Sequence, residues 1–178
     1  AHTVLWTSPE EAVAVIHAGQ AALGALNPAG TQVAVAGLQP GAVLLYDVAR
    51  NQVVQTLADG PPVAARWLAY DPTGRYLALI TSGGTELRLW DVKTGARQLP
   101  DLPLDGFLSL AFHPGGQYLA LGKLSGYVKI LHIQTGVSVF SARVHNRRVW
   151  ELAFSRDGQW LLSGGEGGAY LWRLDRSL

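Results

Sequence analysis

Four short turns recur along this chain at a nearly constant interval, and no other feature limits its fold as tightly. They read Asn27-Pro-Ala-Gly30, Asp71-Pro-Thr-Gly74, His113-Pro-Gly-Gly116 and Ser155-Arg-Asp-Gly158, so their glycines stand 44, 42 and 42 residues apart. Two residues after each glycine comes Gln32, Tyr76, Tyr118 or Trp160, opening a short apolar run with the character of a strand. A second landmark keeps the same step. Trp6, Tyr46, Trp90, Leu131 and Trp172 stand 40, 44, 41 and 41 residues apart, each closing a later run. Two landmarks with one period of roughly 40 to 45 residues describe a chain of repeated strand–turn units, each of which needs its neighbours to bury its faces.

The unit around the second of these turns shows the pattern best. Asp71 to Gly74 supplies the turn, Arg75 to Ile80 the strand after it, and Leu87 to Asp91 reads Leu-Arg-Leu-Trp-Asp. With Trp6, Tyr46, Trp90, Asp91 and Trp172 at matching places, the chain resembles the WD40-repeat family over nearly its whole length. The resemblance implies an all-β propeller built from four-stranded blades. On that reading residues 1–16 are the third and outer strands of a partial blade, with Thr3 to Trp6 and Ala12 to Ile16 as its strands. Residues 17–58, 59–101 and 102–142 form full blades, the second with a short outer strand over Ala96 to Leu99, and 143–178 form a three-stranded last blade.

A propeller is stable when every blade packs on two neighbours and the ring closes. Pairing Ala12 to Ile16 with the last blade leaves Thr3 to Trp6 as a surplus strand and an exposed edge. We therefore expect the C-terminal part of a larger propeller, completed by another chain or segment. The alternative is a homodimer ring of about eight blades.

Composition excludes several functions. The 178 residues are 48% hydrophobic and 15% charged with a formal net charge of +1, which fits a folded chain and suggests neither nucleic acid nor a polyanion mimic. No apolar run approaches the roughly 18 residues of a membrane helix. The chain contains no cysteine, which removes disulfides, thiolate metal sites and thiol nucleophiles without choosing a compartment. We expect a cytoplasmic protein, or a periplasmic or secreted one if an upstream segment is removed.

The resemblance also implies a buried polar network in each blade: a His before the inner strand, a Ser or Thr in the second, an Asp in the next turn and the Trp indole. Only the last blade retains most of it, as His145, Ser163, Glu166 in place of Asp, and Trp172. His17 holds the His position of the first full blade, while Pro61 and Pro103 hold it in the next two, and Val35, Leu79 and Leu121 replace the Ser. A half-satisfied buried network is worse than none, so those blades are expected to be held by apolar packing.

His145, Ser163 and Glu166 have the residue types of a hydrolase triad, but no Gly-x-Ser-x-Gly turn surrounds Ser163, and the structural role is the stronger reading. Glu10-Glu11 reads as a solvated pair, and Asp101 with Asp105 is too sparse for a calcium loop. The histidines at 2, 17, 113, 132 and 145 lack metal-ligand spacing, and the glycines around Glu166 lack the Lys-Ser/Thr of a phosphate loop. No enzyme activity, cofactor or metal is expected.

One constellation points to binding. Ala22, Arg66, Leu108 and Trp150 each precede a turn glycine by eight residues, near the start of an inner strand. In the family that neighbourhood opens onto the face where partners dock. His145-Asn-Arg-Arg-Val-Trp150 places Arg147 and Arg148 beside an indole, and Arg and Trp dominate binding hot spots. We expect a non-catalytic platform that binds protein partners through Arg66, His145, Arg147, Arg148 and Trp150. The competing class is a small-ligand-binding or enzymatic propeller that uses its central channel.

Overall fold

Turn glycines and apolar runs fold into antiparallel strands throughout the part of the chain that the computed structural model describes: residues 2–8, 11–17, 23–37, 41–58, 64–99 and 106–174, with side chains from residue 23 onward. Strands β1 (His2–Ser8) and β2 (Glu11–His17) pair with each other. The next sheet contains β3 (Leu23–Leu26), β4 (Gln32–Ala36), β5 (Ala42–Asp47) and β6 (Gln52–Ala58). It is followed by β7 (Ala65–Tyr70), β8 (Tyr76–Thr81) and β9 (Leu87–Asp91), then by β10 (Phe107–Phe112), β11 (Tyr118–Lys123), β12 (Tyr127–His132) and β13 (Ser138–Arg143). The last sheet holds β14 (Val149–Phe154), β15 (Trp160–Gly165) and β16 (Gly168–Arg173). Each sheet is a meander in chain order.

The repeated turns work as their residues predict. Gly30, Gly74, Gly116 and Gly158 adopt φ of +69°, +74°, +69° and +71°, a region that only glycine enters without strain. Asn27 Oδ1 accepts the N–H groups of Thr31 and Gln32 at 2.8 and 3.0 Å, and Asp71 Oδ1 accepts that of Tyr76 at 2.6 Å. Ser155 Oγ accepts from Trp160 N–H at 2.9 Å. His113 does something different. Its Nδ1 accepts from Gly115 N–H at 3.0 Å, so its Nε2 carries the proton and donates to the Gly158 carbonyl of the next sheet at 3.2 Å. A residue that closes its own turn elsewhere here joins two blades.

The core is a series of apolar slabs between facing sheets. Ala34, Val43, Leu45 and Leu57 meet Leu77, Leu79 and Trp90 in one slab. Ala78, Ile80, Leu87 and Leu89 meet Leu110, Leu119, Leu121 and Leu131 in the next, and Ala120, Val128 and Ile130 meet Val149, Leu152 and Leu161 in the third. Fully burying one such aliphatic side chain contributes about 1.5–3 kcal/mol. Because β8 is covered on both faces, every residue of it is buried. Strand β15 starts from an equally apolar run, yet it alternates, with Leu162 at 40% exposure beside buried Leu161 and Ser163. Its partner across the sheet, Leu171, is 64% exposed. Among the described residues nothing covers that face of the last sheet.

The outer strand expected over Ala96 to Leu99 is reduced to a single bridge between Trp90 and Arg97. The segment still lies along β9, with Asp91 N–H on the Ala96 carbonyl and Gln98 N–H on the Leu89 carbonyl, both within 2.9 Å. Arg97 turns to Glu86 and Leu99 is buried, so this segment folds into the core rather than running on as an edge. Ala22, Pro61, Asp101, Pro103, Asp105 and Glu10 lie outside the described residues, as do the side chains of His2, Trp6, Glu11 and His17.

Candidate interaction site

Antiparallel pairing gathers the starts of β7, β10 and β14 at one end of the sheets, with the turns β8–β9, β11–β12 and β15–β16. Each of these inner strands begins with a bulge. Ala65 pairs with Thr81 and Trp67 with Ile80, Phe107 with Lys123 and Ser109 with Gly122, and Val149 with Gly165 and Glu151 with Gly164. The skipped residues are Arg66, Leu108 and Trp150. A bulge leaves one residue out of the ladder and re-aims its side chain, so the three equivalent positions share a cause as well as a place. Arg66 is exposed and Trp150 is 46% exposed, whereas Leu108 is buried at 7%.

The loop before β14 is held from both sides. The Gly126 carbonyl, in the β11–β12 turn, accepts the N–H groups of Val144 and His145 at 3.0 and 3.1 Å. In the β15–β16 turn, the Glu166 carbonyl accepts from Asn146 N–H at 3.3 Å, and Glu166 N–H donates to the Arg148 carbonyl at 3.1 Å. Arg143 Nη2 donates to the Asn146 carbonyl at 2.8 Å. From this pinned backbone Arg147 and Arg148 project as exposed residues. The Arg148 guanidinium stands 5.3 Å from the centre of the Trp150 ring, in cation–π range, and 3.9 Å from the Glu166 carboxylate. That pair is solvent-exposed on both sides, so it is worth at most about 1 kcal/mol and leaves Arg148 able to exchange partners.

Beneath the loop, His145 is 3% exposed and Ser163 fully buried. His145 Nε2 lies 3.0 Å from Ser163 Oγ, and the Trp172 indole N–H donates to the same oxygen at 3.0 Å. The indole donates whichever imidazole tautomer is present, and the direction of the Nε2–Oγ bond follows that tautomer. Nδ1 is buried without a hydrogen-bond partner and faces Gly165, where a Cβ would come within 2.7 Å of it and 2.5 Å of the Arg148 carbonyl. Glu166 contributes its backbone to the loop, while its carboxylate turns outward to Arg148. Ser163 is thus sealed from solvent, and among the described residues no carboxylate reaches the imidazole.

Among the described residues no group of three or more His, Asp or Glu is placed to hold a metal ion, and no helix is long and apolar enough to cross a membrane. Three further contacts were not anticipated from the sequence. Ser109 Oγ donates to the Val149 carbonyl at 3.0 Å, tying β10 to β14, and Arg143 and Asn146 brace the loop. Glu86, Arg88 and Arg97 form an ion cluster. For Glu86 and Arg88 a signal existed, since residues two apart on a strand share a face.

Comparison with known proteins bears on these repeats directly. Residues 136–173 match the family model described as WD domain, G-beta repeat. WD repeat-containing protein VIP3 of Arabidopsis thaliana is 28% identical over 161 residues, covering 82% of this chain, and WD repeat-containing protein SL1-17 of Schistosoma mansoni is 30% identical over 143 residues, covering 79%. The chain belongs to the WD40-repeat family. It spans 49% and 46% of the length of those two relatives. A chain in the crystal structure of the mitotic checkpoint complex shares the propeller fold, with a TM-score of 0.70 at 20% identity, over 88% of this chain and 49% of that one.

Within this WD40 chain the matched segment includes Ser163 and Trp172 of the polar network. At the Ser163 position the earlier repeats carry Val35, Leu79 and Leu121, each at most 4% exposed and packed into apolar clusters. These blades rely on packing where the last relies on hydrogen bonds as well.

The buried imidazole makes stability depend on pH. Burial pushes His145 below the ordinary histidine value of 6.5, partly opposed by the Glu166 backbone. As pH falls, the unfolded chain takes up this proton first, so the stability tied to neutral His145 is complete above about pH 6.5 and is lost as pH falls through the lower folded value. Urea midpoints measured between pH 7.5 and 5 are expected to fall, and His145→Gln to flatten that slope. An equal slope in the variant would assign the pH dependence to other groups.

Proposed function

We propose that this chain is a non-catalytic protein-interaction scaffold whose partner docks on the end of the sheets carrying Arg66, Arg147, Arg148 and Trp150. The observation that carries the reading is the pinned 144–148 loop, which holds two exposed arginines beside a half-exposed tryptophan re-aimed by a bulge. Arginine and tryptophan supply much of the energy at protein interfaces, and a loop already ordered before binding loses little entropy on docking. His145, Ser163 and Trp172 serve this site from below as its support.

In this reading residues 1–16, 17–58, 59–101, 102–142 and 143–178 are successive whole or partial blades. The face of the last sheet on which Leu162 and Leu171 are exposed supports a ring continued by further blades, making this chain the C-terminal part of a larger propeller. A second copy in that place would make a homodimeric ring instead.

The test is double charge reversal, Arg147→Glu with Arg148→Glu, in the full-length protein. Capture of its partner is expected to weaken at least about tenfold, the equivalent of about 1.4 kcal/mol, with the thermal midpoint unchanged. Unchanged capture would reject the site.

A further inference from the structure

We infer that the partner at this site is an acidic polypeptide segment with an aliphatic or aromatic side chain among its carboxylates. The inference rests on the interaction site proposed above and names the chemistry that fits it.

The charges of this chain are nearly balanced overall. At the end with the repeated turns, Arg50 Nη1 lies 2.9 Å from Asp47 and Arg75 Nε lies 3.0 Å from Asp91, while Arg156 and Arg173 are exposed without an ion pair among the described residues. At the opposite end of the last two sheets, Arg143 and Arg147 are exposed and form no ion pair among the described residues, and Arg148 has only the long contact to Glu166. Arg143 spends one donor on a backbone carbonyl, and the fork of a guanidinium has five. Glu151, also exposed, is the other carboxylate in this neighbourhood. The local excess is positive in a chain whose net charge is +1.

Apolar surface lies within the same patch. Leu124 and Tyr127 flank Gly126 at 42% and 40% exposure, and Trp150 stands at 46%. Gly126 is the residue whose carbonyl holds the loop, so Leu124, Tyr127, Arg147 and Arg148 are carried by directly bonded backbone. Guanidinium groups bind carboxylates bidentately, and an indole offers a flat apolar face to a neighbouring side chain. Carboxylates spaced around one apolar anchor complement both features. Nucleic acid fits less well, since two carboxylates sit in the patch and the chain as a whole has no basic excess.

The experiment uses the full-length protein and three fluorescein-labelled peptides: Glu-Glu-Asp-Leu-Glu-Glu-Asp, the same peptide with Leu replaced by Gly, and its Lys-for-acid counterpart. The acidic Leu peptide is expected to bind, the Gly version several-fold more weakly, and the Lys version not at all. Arg147→Glu with Arg148→Glu should reduce binding at least about tenfold, Trp150→Ala by a similar factor, and Arg50→Glu at the opposite end should have no effect. Binding of the acidic and basic peptides alike, or of single-stranded RNA in preference to either, would overturn the inference. Should no acidic peptide bind while capture of the protein partner still depends on Arg147 and Arg148, the acidic chemistry is wrong and the interaction site stands. Should neither depend on them, both fall.

Discussion

Glu86→Leu is expected to destabilise the protein by about 3–5 kcal/mol, because it leaves a guanidinium charge buried without its carboxylate. Arg88 is 1% exposed in β9. Its Nε and Nη2 donate to the two Glu86 carboxylate oxygens at 2.9 and 3.0 Å, and its Nη1 reaches the Gly41 carbonyl of the preceding sheet at 3.3 Å. Arg97 Nη2 shares the same carboxylate at 3.1 Å. Arginine does not deprotonate to escape burial, so the loss of Glu86 cannot be relieved by a shifted proton. The hydrogen bonds from Arg88, followed by the Arg88 and Arg97 charges, hold the Glu86 carboxyl below its ordinary value of 4.5. This contribution is therefore present above that value and is lost as pH falls through the folded one. Urea denaturation of Glu86→Leu, Arg88→Leu and the double variant forms the check. The double variant should recover much of the loss, since it removes charge and partner together, and additive losses would show that the pair is not coupled.

Gly126→Ala is expected to cost more than 3 kcal/mol and to abolish partner binding, whereas Gly30→Ala should cost about 1–2 kcal/mol. Both glycines have positive φ, +88° and +69°, which by itself costs an L-residue about 1–2 kcal/mol. They differ in their surroundings. A Cβ at Gly30 meets nothing within 4 Å, while one at Gly126 would lie 2.1 Å from the His145 carbonyl oxygen and 2.8 Å from that of Arg147. Relieving that overlap requires moving the backbone that Gly126 itself holds through Val144 and His145. Comparing the two variants by thermal unfolding and by partner capture separates backbone strain from loss of the loop; similar results for both would contradict the geometry.

Much of the fold was legible because its signals are local. A turn that needs positive φ marks itself with glycine, and a strand covered on both faces marks itself with a run such as Leu77 to Ile80. The pairing of His145, Ser163 and Trp172 was what the resemblance to the WD40 family implied, not something periodicity alone disclosed. What the residue types did not disclose were features set by neighbours. Arg66, Leu108 and Trp150 are equivalent in sequence, yet one is buried and two are exposed, and the bulge that they share has no residue signature. Ala96 to Leu99 reads as a strand but is drawn into the core by Leu99 and by the Arg97 contact to Glu86. The direction of the Glu166 carboxylate was equally a matter of context, since Arg148 competes for it from the adjoining loop.

Docking of a protein partner across the 144–150 loop and the β11–β12 and β15–β16 turns is best tested by hydrogen–deuterium exchange of the full-length protein, free and bound to its captured partner. New protection is expected over residues 123–127, 144–151 and 165–168, with no change at the repeated turns 27–31, 71–75, 113–117 and 155–159. Protection confined to those repeated turns would instead place the partner at the opposite end and rule out docking on the 144–150 loop.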